Sequence, residues 1–448
     1  MLGRFQQWLF TPKDNSPLVL FRAFFGFLMF AEAFGALVTG WVRKTFVETK
    51  MTIPFNGFDW LATALHGEIM YLWFALMALF GIGIMIGFKY RLSTALYGIL
   101  WTCTYLIQKT HYNNHYYLMV VLCAVMLCIP AHRYFSIDAL KAKNKSLTCP
   151  NWCYFLLIAL FGIVYFYASV NKIYPAWLNA KPISIWFSSK TDYWLIGPLL
   201  GKEWVAYVIS YGGIFFDGLI IPALLWKRTR MPAFYLNLFF HLFNSAVFQI
   251  GVFPYLMIAI TVLFFPPEQI RKLFLRKKPA LEPATLGAYA IRPAVTWVIL
   301  GFLLFNILMP LRRHLFEGHV LHTEEGHRMS WRMMLRTRSA SIRIKFKDLE
   351  KRKFEYVDLS EYLSKRQINC VATHPDAFYW FLQKLKEDYI NKGWDLDKYE
   401  ILVRCSVSVN REGYFDQYDP YKDMKDIEWS FFSHDDWILY PKDEEEAG

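Results

Sequence analysis

"WCYFLLIALFGIVYFYASVNKIYPAW", Trp152 to Trp177, decides the fold. From Trp152 to Val170 no side chain carries a formal charge, and a run of this length approaches the ~20 apolar residues that a transmembrane helix needs. Lys172 then follows almost at once. Its amine either snorkels to the membrane interface or sits desolvated in a pocket. Working outward, similar apolar segments recur near 17–39, 69–88, 92–108, 114–130, 204–226, 231–250, 252–266 and 293–311. With 152–170 they predict a polytopic α-helical membrane bundle of about nine spans. The first segment lacks a small-residue cleavage site and keeps Arg22 and Glu32, so it is expected to be a retained helix.

Composition agrees. The 448 residues are 55% hydrophobic and 19% aromatic, with mean hydropathy +0.22, too apolar for a soluble enzyme of this length. The formal net charge of +12 would suggest nucleic acid in a soluble protein, but no nucleic-acid-binding motif accompanies it. Membrane proteins instead gather Lys and Arg in cytoplasmic loops. An N-terminus in the cytoplasm gives the inner segments Arg4 and Lys13, then Lys89 and Arg91, then Arg133, Lys141, Lys143 and Lys145, then Lys227, Arg228 and Arg230, then the run Arg271 to Lys278. An odd number of spans then places the C-terminal region outside.

After Pro310 the chain becomes charged. Residues 1–311 read as the transmembrane domain and 312–448 as a β-rich α+β extracytoplasmic domain. In the latter "SIRIKFKD" and "EILVRCSVSVN" alternate as strands do, and "DAFYWFLQKLKEDYIN" has the pattern of an amphipathic helix. The acidic tail "KDEEEAG" reads as a solvated end. Cys149 and Cys153 lack the matching histidines of a zinc site, so no metal is expected. Cys370 and Cys405 share the C-terminal domain, and spacing leaves a disulfide between them open.

On this topology three clusters meet at one leaflet: "KTHYNNHYYL" (Lys109–Leu118), "VNKIYPAW" (Val170–Trp177) and "QIGVFPY" (Gln249–Tyr255). Tyr, Trp and Lys alone would make an anchoring belt. Asn113, Asn114 and His115 carry hydrogen-bonding capacity that anchoring does not use. His241 and Asn244, three apart in "FFHLFNSAVFQIG", share a helical face at a depth where polar groups usually turn inward and often mark function.

"KTHYNNHYYL", "IVYFYASVNKIYPAWL", "FHLFNSAVFQIGVFPY" and "GHRMSWRMMLRTRS" together resemble, in order, the signature blocks of the vitamin K-dependent γ-glutamyl carboxylase family, whose membrane part is the HTTM domain. The resemblance spans about residues 15 to 425 and suggests a compact, bacterial-type member. It implies an integral protein, expected in a bacterial inner membrane, that oxidises a lipid-borne reduced vitamin K (a menaquinol-type hydroquinone) with O2 to its epoxide. That oxidation would be coupled to addition of CO2 at the γ-carbon of glutamate in a protein or peptide. By the same resemblance Lys172 matches the base that deprotonates the hydroquinone, and His115 the histidine that assists oxygenation or holds the quinone. Asn114, His241, Asn244, Trp177 and Tyr255 match the lining of the quinol pocket. Ser169 stands where the family commonly has glycine, and Asn171 where the animal enzymes have a second lysine. The chain is also shorter than the animal enzymes.

These residue types suit the chemistry. An exposed lysine titrates near ~10.4 and is a poor base at neutral pH, whereas burial favours its neutral form. The γ-CH of glutamate is too weakly acidic for any side chain, so the family derives a strong base from the quinol inside a dry pocket. His327, Arg332 and Arg336 are the expected peptide-docking residues, since arginine pairs well with carboxylates; the bland reading makes them surface charges. Two other functions remain open: a quinol oxidoreductase or epoxidase that does not carboxylate, and a non-enzymatic HTTM membrane protein.

Overall fold

A computed structural model describes residues 1–141, 145–194, 196–248, 250–281 and 288–441. Lys143, Gln249 and the tail "KDEEEAG" lie outside them. Helices form over each of the apolar segments: α1 (Ser16–Val38), α2 (Ile69–Ile86), α3 (Tyr90–Leu106), α4 (Asn114–Cys128), α5 (Trp152–Val170), α6 (Glu203–Leu225), α7 (Arg230–Phe248), α8 (Phe253–Ala259) and α9 (Pro293–Leu311).

The expected count of about nine spans is not confirmed. Among the described residues five helices, α1, α2, α5, α6 and α9, are long and apolar enough to cross a membrane. A sixth is reached only if the bent pair Phe253–Phe264 and Pro267–Phe274, which turns through 117°, is taken as one span. The reasons lie in the residues. α4 has 15 residues; α3 has 17 and interleaves Ser93, Thr94, Thr102 and Thr104 with its apolar positions; α7 carries Asn237, His241 and Asn244.

α1 and α2 approach closely because glycine lets them. A Cβ on Gly26 would stand 2.2 Å from the Met85 backbone nitrogen, and one on Gly81 2.5 Å from that of Phe30. Small residues at such crossings are the usual route to tight packing in membranes. At the end of the bundle where α4 finishes and α5 starts, β1 (Pro12–Asp14) pairs antiparallel with β2 (Thr148–Pro150). Lys278 closes that end, its Nζ donating to Asp14 Oδ1 at 2.5 Å and to Asn15 Oδ1 and Ser16 Oγ at 2.7 Å.

The C-terminal domain holds a four-stranded antiparallel sheet. β3 (Arg338–Asp348) pairs along its length with β5 (Tyr399–Val409), from Arg338 opposite Val409 to Asp348 opposite Tyr399, and the short β4 (Phe354–Tyr356) and β6 (Phe415–Asp416) lie at the edges. The alternation in "SIRIKFKD" buries Ile342, Ile344 and Phe346. Helices α10 (Lys365–Thr373), which starts with a Ser364–Gln367 capping box, and α11 (Pro375–Asn391) share the hydrophobic core that those residues form. Both predicted strands and the predicted helix are present. Cys370 and Cys405 are free thiols.

An ion cluster fixes this domain to the bundle. Lys109, in the loop between α3 and α4, donates to the Asp376 carbonyl at 2.9 Å and to Asn56 Oδ1 at 3.1 Å. The Asp376 carboxylate receives Arg328 Nε at 2.8 Å and its terminal nitrogen at 3.0 Å. Burial opposes the charge on Asp376, but Arg328 and Lys109 outweigh it and hold the carboxyl well below the usual range. The folded state therefore binds this proton more weakly than the unfolded chain, so the stabilisation is complete above the ordinary aspartate pKa of ~3.9 and is lost as pH falls below it. Asp376→Ala is expected to destabilise docking of the C-terminal domain by about 3–5 kcal/mol, since it strands two buried cations. Hydrogen exchange across α11 between pH 6 and pH 3 checks this: protection should fall with acid in the native chain and be low throughout in the variant.

Candidate active site

Two chambers meet at the opposite end of the bundle. The inner one is a cavity of about 100 Å³ bordered by α5, α6 and α7, with aromatic walls from Trp177, Phe240, Phe248 and Phe253. Lys172 stands on the turn that ends α5, its Nζ donating to the Ala168 carbonyl at 2.9 Å. It is ion-paired with Asp217 of α6, and both side chains are nine-tenths or more buried. The Trp177 ring lies 5.5 Å from that ammonium. Trp177 is itself locked to α6, donating from Nε1 to the Ser210 carbonyl at 3.0 Å and accepting Ser210 Oγ on its own carbonyl at 2.5 Å.

His241 forms the facing wall. Tyr165 OH donates to Asn237 Oδ1 at 3.3 Å and lies 2.9 Å from His241 Nε2. The tautomer of His241 sets which of Tyr165 OH and Nε2 donates in that contact, and the other ring nitrogen is Nδ1. That atom is buried and has no partner. His115, the second residue of α4, stacks on Phe253 with ring centroids 3.8 Å apart.

The outer chamber is larger, about 890 Å³, and lies beneath the C-terminal domain. It shares His115, Ile250, Met333 and Met334 with the inner cavity, so these four form the passage between them. Its lining includes Arg332, Arg336, Arg338, His327 and His374. On the other side, the inner cavity shares Ile209, Gly213 and Phe240 with an apolar groove of about 570 Å³ between α6 and α7.

In the segment "GHRMSWRMMLRTRS" residues 326–337 form an irregular strap across the passage, and Arg338 and Ser339 begin β3. Met329, Trp331 and Met334 hold positive φ of 59°, 55° and 49°, a conformation that costs an L-residue roughly 1–2 kcal/mol. Backbone anchors hold it there: Tyr112 OH accepts Met329 N at 2.6 Å, Asn171 donates to the Ser330 carbonyl at 3.3 Å, and Asn114 donates to the Arg332 carbonyl at 2.6 Å. Trp331 is fully buried against Tyr117. The asparagines of "KTHYNNHYYL" are thereby explained: Asn113 caps α4 by accepting Tyr116 N at 2.7 Å, Asn114 ties down the strap, and only His115 faces both chambers.

The expected docking residues part company. Arg336 is bound to Glu324, with Nε 2.6 Å from Oε1, and Arg338 reaches the same oxygen at 2.7 Å. Burial disfavours the Glu324 charge, but these two guanidiniums override it and keep the carboxyl well below its usual range. Arg332 is 6% exposed, and its Nε has no partner. Burial, together with Arg313 and Arg336, pulls it down to about 9, so at neutral pH it remains a buried cation, with no carboxylate in ion-pair reach among the described residues. His327 lines the outer chamber with Nδ1 unpartnered. Burial and Arg336 push its pKa far down, and it is neutral.

A family model for the HTTM domain matches residues 10–268. A second, described as the vitamin K-dependent gamma-carboxylase lumenal domain, matches residues 291–444. The chain belongs to the vitamin K-dependent gamma-carboxylase family. No solved structure matches it.

For a carboxylase-family pocket the inner cavity has suitable parts. A flat aromatic diol needs apolar faces, a proton acceptor and hydrogen-bonding edges, and the walls supply Trp177 and Phe253 with Lys172–Asp217 and the unpartnered His241 Nδ1. The closed volume is below the 300–1,000 Å³ typical of ligand pockets, so an occupant would extend into the adjoining spaces. Lys172, His115, His241, Asn244 and Trp177 are brought together. Asn114 lines only the outer chamber, and Tyr255 lines neither. Tyr255 is 45% exposed and accepts a hydrogen bond from Ser245 at 2.9 Å; its neighbour Phe253 occupies the wall instead. Sequence reasoning missed Asp217. A lone acid inside an apolar span was the available signal, since such residues usually face the interior with a partner.

Proposed function

We propose that this protein is a quinol-dependent γ-glutamyl carboxylase of its family. The observation that carries the reading is the pairing of chambers: an aromatic-walled cavity holding a lysine–aspartate pair opens, past His115, into a basic chamber containing a buried arginine that has no ion pair among the described residues. A reduced vitamin K held between Trp177, Phe253, Lys172 and His241 would, with O2, supply the strong base needed to remove the γ-proton of glutamate ahead of CO2 addition.

The chain's own residues do the rest. Lys172 and Asp217 act as one proton acceptor, because a neutral ion pair has to place an additional proton on the carboxylate unless the amine is already deprotonated. Lys172 is therefore not a lone lysine in an apolar pocket but one half of a buried pair with Asp217. His241 Nδ1 hydrogen-bonds the occupant, and Trp177, Phe248 and Phe253 exclude water. The groove between α6 and α7 suits an isoprenoid tail. Arg332 suits the carboxylate of a glutamyl peptide arriving from the aqueous side. The Lys/Arg asymmetry of the loops supports a cytoplasmic N-terminus with the chambers extracytoplasmic, which a reporter fused after Gly448 tests: a cytoplasmic signal refutes that orientation.

The deciding experiment incubates purified protein with vitamin K hydroquinone, labelled bicarbonate and a panel of Glu peptides. Both epoxide and γ-carboxyglutamate are expected. Epoxide without labelled peptide across the panel would transfer the assignment to a quinol epoxidase, and neither product would overturn it.

A further inference from the structure

At the end of the bundle away from the catalytic chambers, an apolar cleft of about 630 Å³ runs between α4, α5 and α9. Its walls include Val125, Leu156, Val298, Ile299 and Phe302, and its lining contains three arginines, Arg91, Arg133 and Arg292, with no Asp or Glu. They come from three separate places in the chain: the start of α3, the loop after α4, and the residue before α9. Among the described residues none of the three is in an ion pair or donates a side-chain hydrogen bond. Asp138, an acid in the same region, is already committed: its two carboxylate oxygens accept the backbone N–H groups of Lys89 and Tyr90 at 2.8 and 2.9 Å.

Topological sorting of positive charge explains why arginines lie at this end of the molecule. It does not require three of them around one apolar cleft, where each repels the others. Convergent like charges without a protein anion, next to a wall that offers nothing to water, describe both halves of an amphiphile with a negative head. Basic pockets between membrane helices hold lipid head groups in this way. We propose that the cleft binds one anionic glycerophospholipid, its phosphate against Arg91, Arg133 and Arg292 and an acyl chain along Val298, Ile299 and Phe302. The proposal is independent of the catalytic reading, since none of these residues borders either chamber.

The test reconstitutes the full chain in vesicles of equal phosphatidylglycerol and phosphatidylcholine, extracts it in mild detergent, and counts retained lipid by native mass spectrometry. The native chain should retain phosphatidylglycerol on the order of 100-fold over phosphatidylcholine, given three basic contacts. The triple variant Arg91→Gln/Arg133→Gln/Arg292→Gln should lose that preference. A control removing three exposed charges elsewhere, Lys227→Gln/Arg228→Gln/Lys272→Gln, should keep it. Val298 is 70% exposed, so Val298→Trp fills the cleft with little effect on folding and should also abolish retention. No preference in the native chain, equal loss in the control, or a preference surviving either cleft variant would each overturn the assignment.

Discussion

Lys172→Ala is expected to abolish both epoxide formation and carboxylation, a loss of about 10²–10⁴-fold from removal of a proton acceptor alone. A small added amine should restore part of both activities, most of all at high pH, where more of it is neutral. The ion pair changes what else to expect. Removing the amine leaves the Asp217 carboxylate buried without its cation, which costs about 3–5 kcal/mol, so the single variant should also lose thermal stability. Lys172→Met/Asp217→Leu replaces the pair by apolar side chains and should recover stability while staying inactive. Asp217→Asn separates the two accounts of the base. If the amine acts alone, loss of the counter-charge favours its neutral form and activity should persist; if the pair acts as a unit, epoxide formation should collapse. Collapse in Asp217→Asn with a folded chain is the outcome the geometry favours. Substantial epoxidation by Lys172→Ala without added amine would remove Lys172 from the chemistry.

Arg332→Ala is expected to raise the peptide KM by roughly 10- to 100-fold, the range for a lost charge-assisted hydrogen bond. Quinol epoxidation at saturating peptide should change far less, because the side chain lines the outer chamber and not the inner one. Arg336→Ala is expected to act differently. Its guanidinium is already spent on Glu324, so the variant should lower the unfolding temperature with little selective effect on KM. Kinetics of both variants, with melting curves on the same preparations, check the split. A peptide KM unchanged in Arg332→Ala would leave the unpaired guanidinium without a role.

Several features could be read from the chain alone. The nineteen uncharged residues of α5, the alternation of "SIRIKFKD" and the Lys–Asn–His–Tyr cluster at 109–118 are local patterns. Burial with period 2, uncharged length and the cost of a polar group in lipid act within a few residues, so a linear reading captures them. That is why the helices and the two long strands could be expected, whereas the grouping of Lys172, His115, His241 and Asn244 in one pocket was implied by the family resemblance. Partnership is what only the tertiary structure decided. Asp217 lies 45 residues from Lys172, Asn114 bonds a carbonyl 218 residues away, and Lys109 grips Asp376 at a separation of 267. Whether a charged side chain is a free cation, as Arg332 is, or one already neutralised, as Arg336 is, depends on which carboxylate the fold carries to within a few ångströms. Coulomb and hydrogen-bond energies fall off over that distance in space, and spacing along the chain does not encode it.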